Sequence, residues 1–318
     1  MLPLWIFSEG DQKRGLGHLS RCYAYAAAWR QQGGAVHWVV DGDETAQRFL
    51  QGETVTWLGW QHHPELFIPT NGFAIVDSYS APLFLLQKIA ESFIRVVYMD
   101  DTYRLPYPKG YVIHSSPDKE DYIDGQAEWL IGLQWHPLRP GFWDVPKPRE
   151  VADIIENILI IMGATDVYHM TPTIIRLVRL VYPYTKIHVI SNNSNLNRYE
   201  NCTIHSNLND KQMAKLMCMC DLAISAAGQT TYELATCGLP AILICLIDNQ
   251  ANQFTWWKEN NIFPDGVWRN EDALEEKLIA ALKKMATPDY RASRSEAAQK
   301  IMSSQGITNL IRLLMADK

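Results

Sequence analysis

The chain has 318 residues, 47% of them hydrophobic, enough for two ordinary domains that each bury a core. Acids outnumber bases 35 to 29 and the formal charge is -6, which argues against a nucleic-acid surface. No run reaches the roughly 18 apolar residues of a membrane span, and MLPLWIFSEGDQKRG has neither the basic start nor the cleavage pattern of a signal peptide. The expectation is a cytoplasmic monomer with no stable membrane association. The six cysteines (22, 202, 218, 220, 237 and 245) form no Cys-x-x-Cys pair, so they read as reduced thiols, with neither metal nor cofactor expected.

In chain order, LPLWIFS predicts a strand, Leu19 to Gln32 a helix and AVHWVV a strand. FAIVDSY, RVVYMDD and GYVIHSS follow as short strands, with a helix from Ala81 to Glu91 between the first two. This alternation predicts an open parallel sheet. LQWHPLRPGFWDVPKPRE interrupts it and has a linker's composition, dividing the chain into domains 1–143 and 144–318. The second set begins with ENILIIMGATD and continues with a helix over Pro172 to Val181, the strand KIHVIS and a helix near Asp210 to Cys220. The strand DLAIS, a helix from Thr230 and the strand AILIC complete it. A helical tail from Ala292 to Ala316 is expected to pack back toward the first domain. The predicted class is α/β, two Rossmann-like domains with an interdomain cleft.

Ligands of such sheets bind beyond the carboxyl ends of the strands. SAAGQTTYE, Ser225 to Glu233, is there a strand, a glycine turn and a helix start. Its unpaired backbone N–H groups can seat phosphate oxygens, and its acid is placed for ribose hydroxyls. Ser225, Ala227, Gly228, Gln229, Thr230 and Glu233 are the candidate nucleotide-binding residues, joined by Gly163 in the turn Gly163 to Asp166. Asn249 and Gln250 are candidates for sugar hydroxyl or acetamido groups. In the first domain Gly15, Gly17, His18 and Arg21 follow the first strand, and other strands end in Asp77-Ser78-Tyr79, Asp100-Asp101 and His114-Ser115. Each has a plainer reading as a cap or a turn residue, but their common position at strand ends favours a site.

Were such a site to hydrolyse a glycosyl phosphate, a water would have to be positioned and relieved of a proton. An imidazole, whose unperturbed pKa is about 6.5, suits this near neutrality. A neighbouring diphosphate stabilises the imidazolium and burial the neutral ring. His18 is therefore either the base or an electrostatic clamp on the departing oxygen, with Asp100 or Asp101 then activating the water. Asp100 and Asp101 invite Mg²⁺, yet adjacent residues on an extended segment point to opposite sides, so activity is expected to survive EDTA.

GxGHxxRC (Gly15 to Cys22), VDSY (Val76 to Tyr79), MDD (Met99 to Asp101), LRPGF (Leu138 to Phe142), IMGATD (Ile161 to Asp166) and SAAGQTTYEL with GLP and DNQ together resemble the UDP-sugar hydrolases of pseudaminic acid biosynthesis. They are equally similar to a spore-coat polysaccharide biosynthesis group, and the likeness runs to about Gln250. The second-domain motifs are shared with the N-acetylglucosaminyltransferase of peptidoglycan precursors, which implies a GT-B architecture. The resemblance implies release of UDP from a UDP-linked 6-deoxy-diacetamido sugar, of the UDP-2,4-diacetamido-2,4,6-trideoxy-altrose type, by water attack with inversion. His18 is then the base, Tyr79 and Asn249 lie beside the sugar, and Glu233 binds the ribose. Ser78 stands where a histidine is usual, and HSS at 114–116 and WHPLR at 135–139 also depart from the pattern; these bear on the sugar more than on the reaction.

Competing readings are a GT-B glycosyltransferase, a non-hydrolysing epimerase and a non-catalytic nucleotide-sugar binder. A transferase acting on lipid-linked acceptors calls for a membrane-facing patch, for which Trp57, Trp60 and Phe67 near His62-His63 are the candidates.

Overall fold

The computed structural model describes residues 1–63, 71–115, 124–163, 166–302 and 306–316. The chain divides into two compact units, Met1–Pro140 with Gln305–Lys318, and Gly141–Ser304. The division falls inside the passage read as a linker, three residues before the expected domain boundary at 143.

The first unit contains β1 (Leu4–Gly10), α1 (Gly17–Gln31), β2 (Val36–Gly42), α2 (Glu44–Phe49), β3 (Val55–Trp57), β4 (Phe73–Asp77), α3 (Leu83–Ser92), β5 (Arg95–Met99), β6 (Gly110–His114) and β7 (Ala127–Ile131). Its sheet has the order β3-β2-β1-β4-β5-β6-β7, and every pairing is parallel. The second unit contains β8 (Asn157–Ile161), α4 (Met170–Val181), β9 (Lys186–Ile190), β10 (Cys202–His205), α5 (Asp210–Met219), β11 (Leu222–Ala226), α6 (Thr230–Thr236), β12 (Ala241–Cys245), α7 (Ala251–Glu259), β13 (Val267–Trp268), α8 (Leu274–Lys284) and α9 (Pro288–Ile301). Its order is β10-β9-β8-β11-β12-β13, again all parallel. Strands covered on both faces read as continuous apolar runs, as NILII in β8 and AILIC in β12 do. In the second unit Ile158, Ile160, Ile224 and Ile244 pack with Ile174 and Val178 of α4 and Leu278 and Leu282 of α8.

In each sheet the strand order reverses once, between β1 and β4 and between β8 and β11. At such a switch point the neighbouring helices diverge to opposite faces and leave a crevice beyond the strand ends. The GLGH turn follows β1 and VDSY ends β4; the SAAGQTT turn follows β11 and Gly163 lies beyond β8.

The tail forms α9 and then α10 (Gly306–Met315), which belongs to the first unit. Ile307, Leu310, Ile311 and Leu314 are its buried face. Asn309 Nδ2 donates to Gln134 O at 2.9 Å, and Arg95 Nη1 to Leu314 O at 2.7 Å. Gly306 is required by close approach, because a Cβ there would lie 2.3 Å from the carbonyl oxygen of His136. No helix among the described residues is long and apolar enough to cross a membrane.

Candidate functional site

Residues at i, i+3 and i+4 share one face of a helix, and α1 opens with His18, Arg21 and Cys22 on the side facing the end of β4. His18 Nδ1 lies 2.6 Å from Asp77 Oδ1. Arg21 donates from Nε to Asp77 Oδ2 and, at 2.6 Å, from Nη2 to Oδ1, while its Nη1 pairs with Asp101. Cys22 Sγ is 3.6 Å from Asp77 Oδ2. Burial by itself raises the Asp77 carboxyl, but the Arg21 and His18 charges overturn that and hold it well below the ordinary carboxylate range. An ionised Asp77 accepts a proton-bearing Nδ1, so the neutral His18 ring presents its lone pair at Nε2. Nε2 makes no hydrogen bond among the described residues, and the His18 side chain is 11% exposed. The arrangement sets the imidazole's tautomer from behind.

Tyr79 meets the same imidazole edge-on, with ring centroids 4.5 Å apart. Its phenol is pushed up to about 12 by desolvation and then by the Asp101 carboxylate, so it is a neutral hydrogen-bond donor near pH 7.

Asp77 and Arg21 were expected at the substrate, but the structure places them behind His18. The Asp77 side chain is 0% exposed and both its oxygens are taken. Asp100, expected among the catalytic residues, is likewise withdrawn. It accepts from Thr102 N at 2.6 Å, Thr102 Oγ1 at 3.0 Å, Arg104 N at 2.7 Å and Tyr107 OH at 2.9 Å. Those contacts fit a carboxylate that organises the turn after β5, not one that activates water. Asp101 is partly exposed and ion-paired with Arg21. Gly15 closes a tight loop, its N–H donating to Asp11 O at 2.8 Å, and its φ of +81° is one that glycine adopts freely. Gly17 is the first residue of α1 and has open space where a Cβ would project.

Of the aromatic patch considered for a membrane face, Trp60 is fully buried and donates from Nε1 to Ser8 O at 2.9 Å. Trp57 is partly exposed, and Phe67 lies outside the described residues.

Glu9, at the end of β1, escaped the sequence reading. It is 2% exposed and accepts from Tyr79 N at 2.8 Å and, at Oε2, from Gln61 Nε2 at 2.6 Å, Ser80 Oγ at 2.5 Å and Arg14 Nη1 at 3.2 Å. The available signal was an acid inside the apolar run LWIFSEG.

In the second unit the turn after β11 is narrower in its offer than expected. Ser225 is buried with its hydroxyl donating to Ala226 O at 2.9 Å, and Ala227 N donates to Ile244 O at 3.0 Å, continuing the sheet. Neither can give a phosphate its hydrogen. The Gly228 and Gln229 N–H groups make no hydrogen bond among the described residues, and Thr230 begins α6. Glu233 is half-buried in the first turn of α6. Thr231, missed in the sequence, pins the turn: its Oγ1 donates to Gly228 O at 2.8 Å and accepts from Gln253 Nε2 at 2.5 Å and Trp257 Nε1 at 3.1 Å. Gln250 Oε1 accepts from Leu246 N at 3.0 Å, which leaves its Nε2 3.5 Å from the position of a Gly228 Cβ. Asn249 is exposed beside it. Gly163 is exposed with φ +84°; Ala164 and Thr165 lie outside the described residues, and Asp166 caps α4 through Met170 N and Thr171 N, both at 2.9 Å.

No protein-family model matches the chain. It is 25% identical over 273 residues to a Helicobacter pylori protein named pseudaminic acid cytidylyltransferase and UDP-2,4-diacetamido-2,4,6-trideoxy-beta-L-altropyranose hydrolase; the match covers 82% of this chain and 48% of the relative, so the chain spans about half that relative's length. Among solved structures it resembles the MurG of Acinetobacter baumannii, with a TM-score of 0.67, 14% identity and 99% of each chain covered. It also resembles the spinosyn forosaminyltransferase SpnP, with a TM-score of 0.67, 13% identity and 98% and 99% covered. An α-glucosyltransferase in complex with UDP matches at a TM-score of 0.53 and 13% identity, covering 99% and 100%. The fold is the expected one: two parallel-sheet α/β domains, as in the GT-B glycosyltransferases.

Proposed function

We propose that this chain hydrolyses a UDP-linked, 6-deoxy-diacetamido sugar to the free sugar and UDP. The observation that carries the reading is the His18–Asp77 pair at the β1/β4 switch point, with Nδ1 2.6 Å from the carboxylate and Nε2 left without a partner in the described chain. UDP is already a good leaving group, so the chemistry asks for a base on water rather than an acid on the departing oxygen. Water attacks the anomeric carbon as its proton passes to His18 Nε2, the bond from that carbon to the diphosphate oxygen breaks, and the configuration inverts. Asp77 steadies the resulting imidazolium, and Arg21 keeps Asp77 ionised. Tyr79, Asn249 and Gln250 contact the sugar. The N–H groups of Gly228, Gln229 and Thr230 bind phosphate oxygens, and Glu233 takes the ribose hydroxyls. The relative's name supports the substrate class.

The glycosyltransferase reading draws on the fold of the solved neighbours. One assay divides the possibilities. The purified protein is incubated with a panel of UDP-sugars, with and without EDTA, and UDP is measured with no acceptor present. Release in water alone is expected; release that waits for an acceptor identifies a transferase, and tight binding without release identifies a binder. His18→Asn is expected to lower kcat by roughly 10²–10⁴-fold with UDP affinity retained. A near-normal rate in that variant removes His18 from the base role.

A further inference from the structure

We propose that Glu9 is a positioning residue that holds Tyr79 against the His18 imidazole; its consequence for turnover, though not for geometry, rests on the hydrolase reading. Glu9 makes no hydrogen bond to either ring among the described residues, although its charge reaches His18 through space. It acts on the backbone, because its Oε1 accepts the Tyr79 N–H at 2.8 Å, while Oε2 takes the neighbouring Ser80 hydroxyl at 2.5 Å. Two consecutive residues of the turn after β4 are therefore tied to one buried carboxylate on the adjacent strand β1. That strand is parallel to β4 and in register with it through Ser8 and Asp77.

Gln61 Nε2 at 2.6 Å and Arg14 Nη1 at 3.2 Å complete the set and keep the carboxylate from swinging away. Burial opposes the ionised form, but the hydrogen bonds from Ser80 and Tyr79 outweigh it and the carboxyl is held below its ordinary range. All four donors want an acceptor, and a carboxylate supplies nothing else. Tyr79 then has one backbone position from which its ring can sit 4.5 Å from His18. The imidazole is thus held from two sides, by Asp77 at Nδ1 and by Tyr79 at the ring edge. A residue placed about an ångström off its working position typically loses on the order of 10²-fold in rate.

Glu9→Gln keeps the size and one acceptor but sets an NH₂ group against the donors of Gln61, Ser80 and Arg14. We expect kcat to fall by roughly 10²-fold with KM changed by less than about threefold. The second readout needs no turnover. Tyr79 shifts the His18 ring signals in the NMR spectrum of histidine-labelled protein, and Tyr79→Leu calibrates that shift. In Glu9→Gln the His18 signals are expected to move the same way while those of the buried His136 stay put. Ser80→Ala, which removes a single donor, is the milder companion should Glu9→Gln not fold; a smaller movement in the same direction is expected from it. Unmoved His18 signals in the folded variant overturn the positioning role, whatever the activity. Moved signals with an unchanged rate overturn its catalytic consequence. A wild-type protein that releases no UDP from any UDP-sugar instead sinks the hydrolase reading and leaves the NMR result to stand by itself.

Discussion

Cys218 sits near the end of α5 with its side chain exposed, and a hydrogen bond with the buried Cys237 pulls its thiol down to about 7. The same bond, together with burial, pushes Cys237 well up, while burial raises Cys22, Cys202, Cys220 and Cys245. The thiolate is the reactive form. At pH 7, limiting iodoacetamide is therefore expected to label Cys218 first of the six, as read by peptide mass spectrometry; faster labelling of Cys202 would show the assignment to be wrong. The composition identifies these as six separate thiols, but the contact between residues 218 and 237 depends on how α5 and α6 pack. At the site, too, residue identity was the legible part. His18 stands out at a helix start and Tyr79 just past a strand end, whereas Asp77, Asp100 and Asp101 look alike in sequence and differ only in which donors surround them.

Among elements, the turn after β5 illustrates that difference. Asp100 gathers two backbone N–H groups and two hydroxyls within four bonds of 2.6–3.0 Å. Buried donors deprived of a charged acceptor lose well over the value of one hydrogen bond, so Asp100→Ala is expected to destabilise the first unit by about 3 kcal/mol, measurable in urea titration. Full stability with lost activity would instead return Asp100 to the catalytic role. The strands follow a related logic. The nine interior strands were readable because they are apolar along their length, while β3, β7, β10 and β13 were not. These four are the edges of the two sheets. An edge strand is covered less completely, as in β10, where every residue is half-buried, so its sequence carries no continuous apolar run.

For the molecule as a whole, acid sensitivity follows from imidazoles that burial holds below their ordinary range, His136, His188 and His205 among them. Burial pushes His136 in the first unit down to about 3 and His188 in the second down to about 4. In the unfolded chain each protonates at about 6.5. Below that pH the unfolded state binds protons that the folded state refuses, so stability present above pH 6.5 is lost progressively as the pH falls toward 4 and then 3. Lowering the pH from 7 to 5 is expected to cost about 2 kcal/mol per histidine, and His136→Gln should flatten the slope for the first unit. An unchanged slope in that variant would assign the acid sensitivity to other groups.

By itself the sequence determined the class of fold, the motif set and the polar strand ends, because periodicity and turn chemistry are local properties of the chain. Tertiary structure decided the strand order and with it the two switch points. It also decided that Asp77 stands behind His18, that Ser225 and Ala227 spend their hydrogens within the sheet, and that Glu9 reaches the backbone of Tyr79. Each of these depends on which strand lies beside which, and on burial strong enough to make a carboxylate's partners matter. Neither quantity is written in any short stretch of residues.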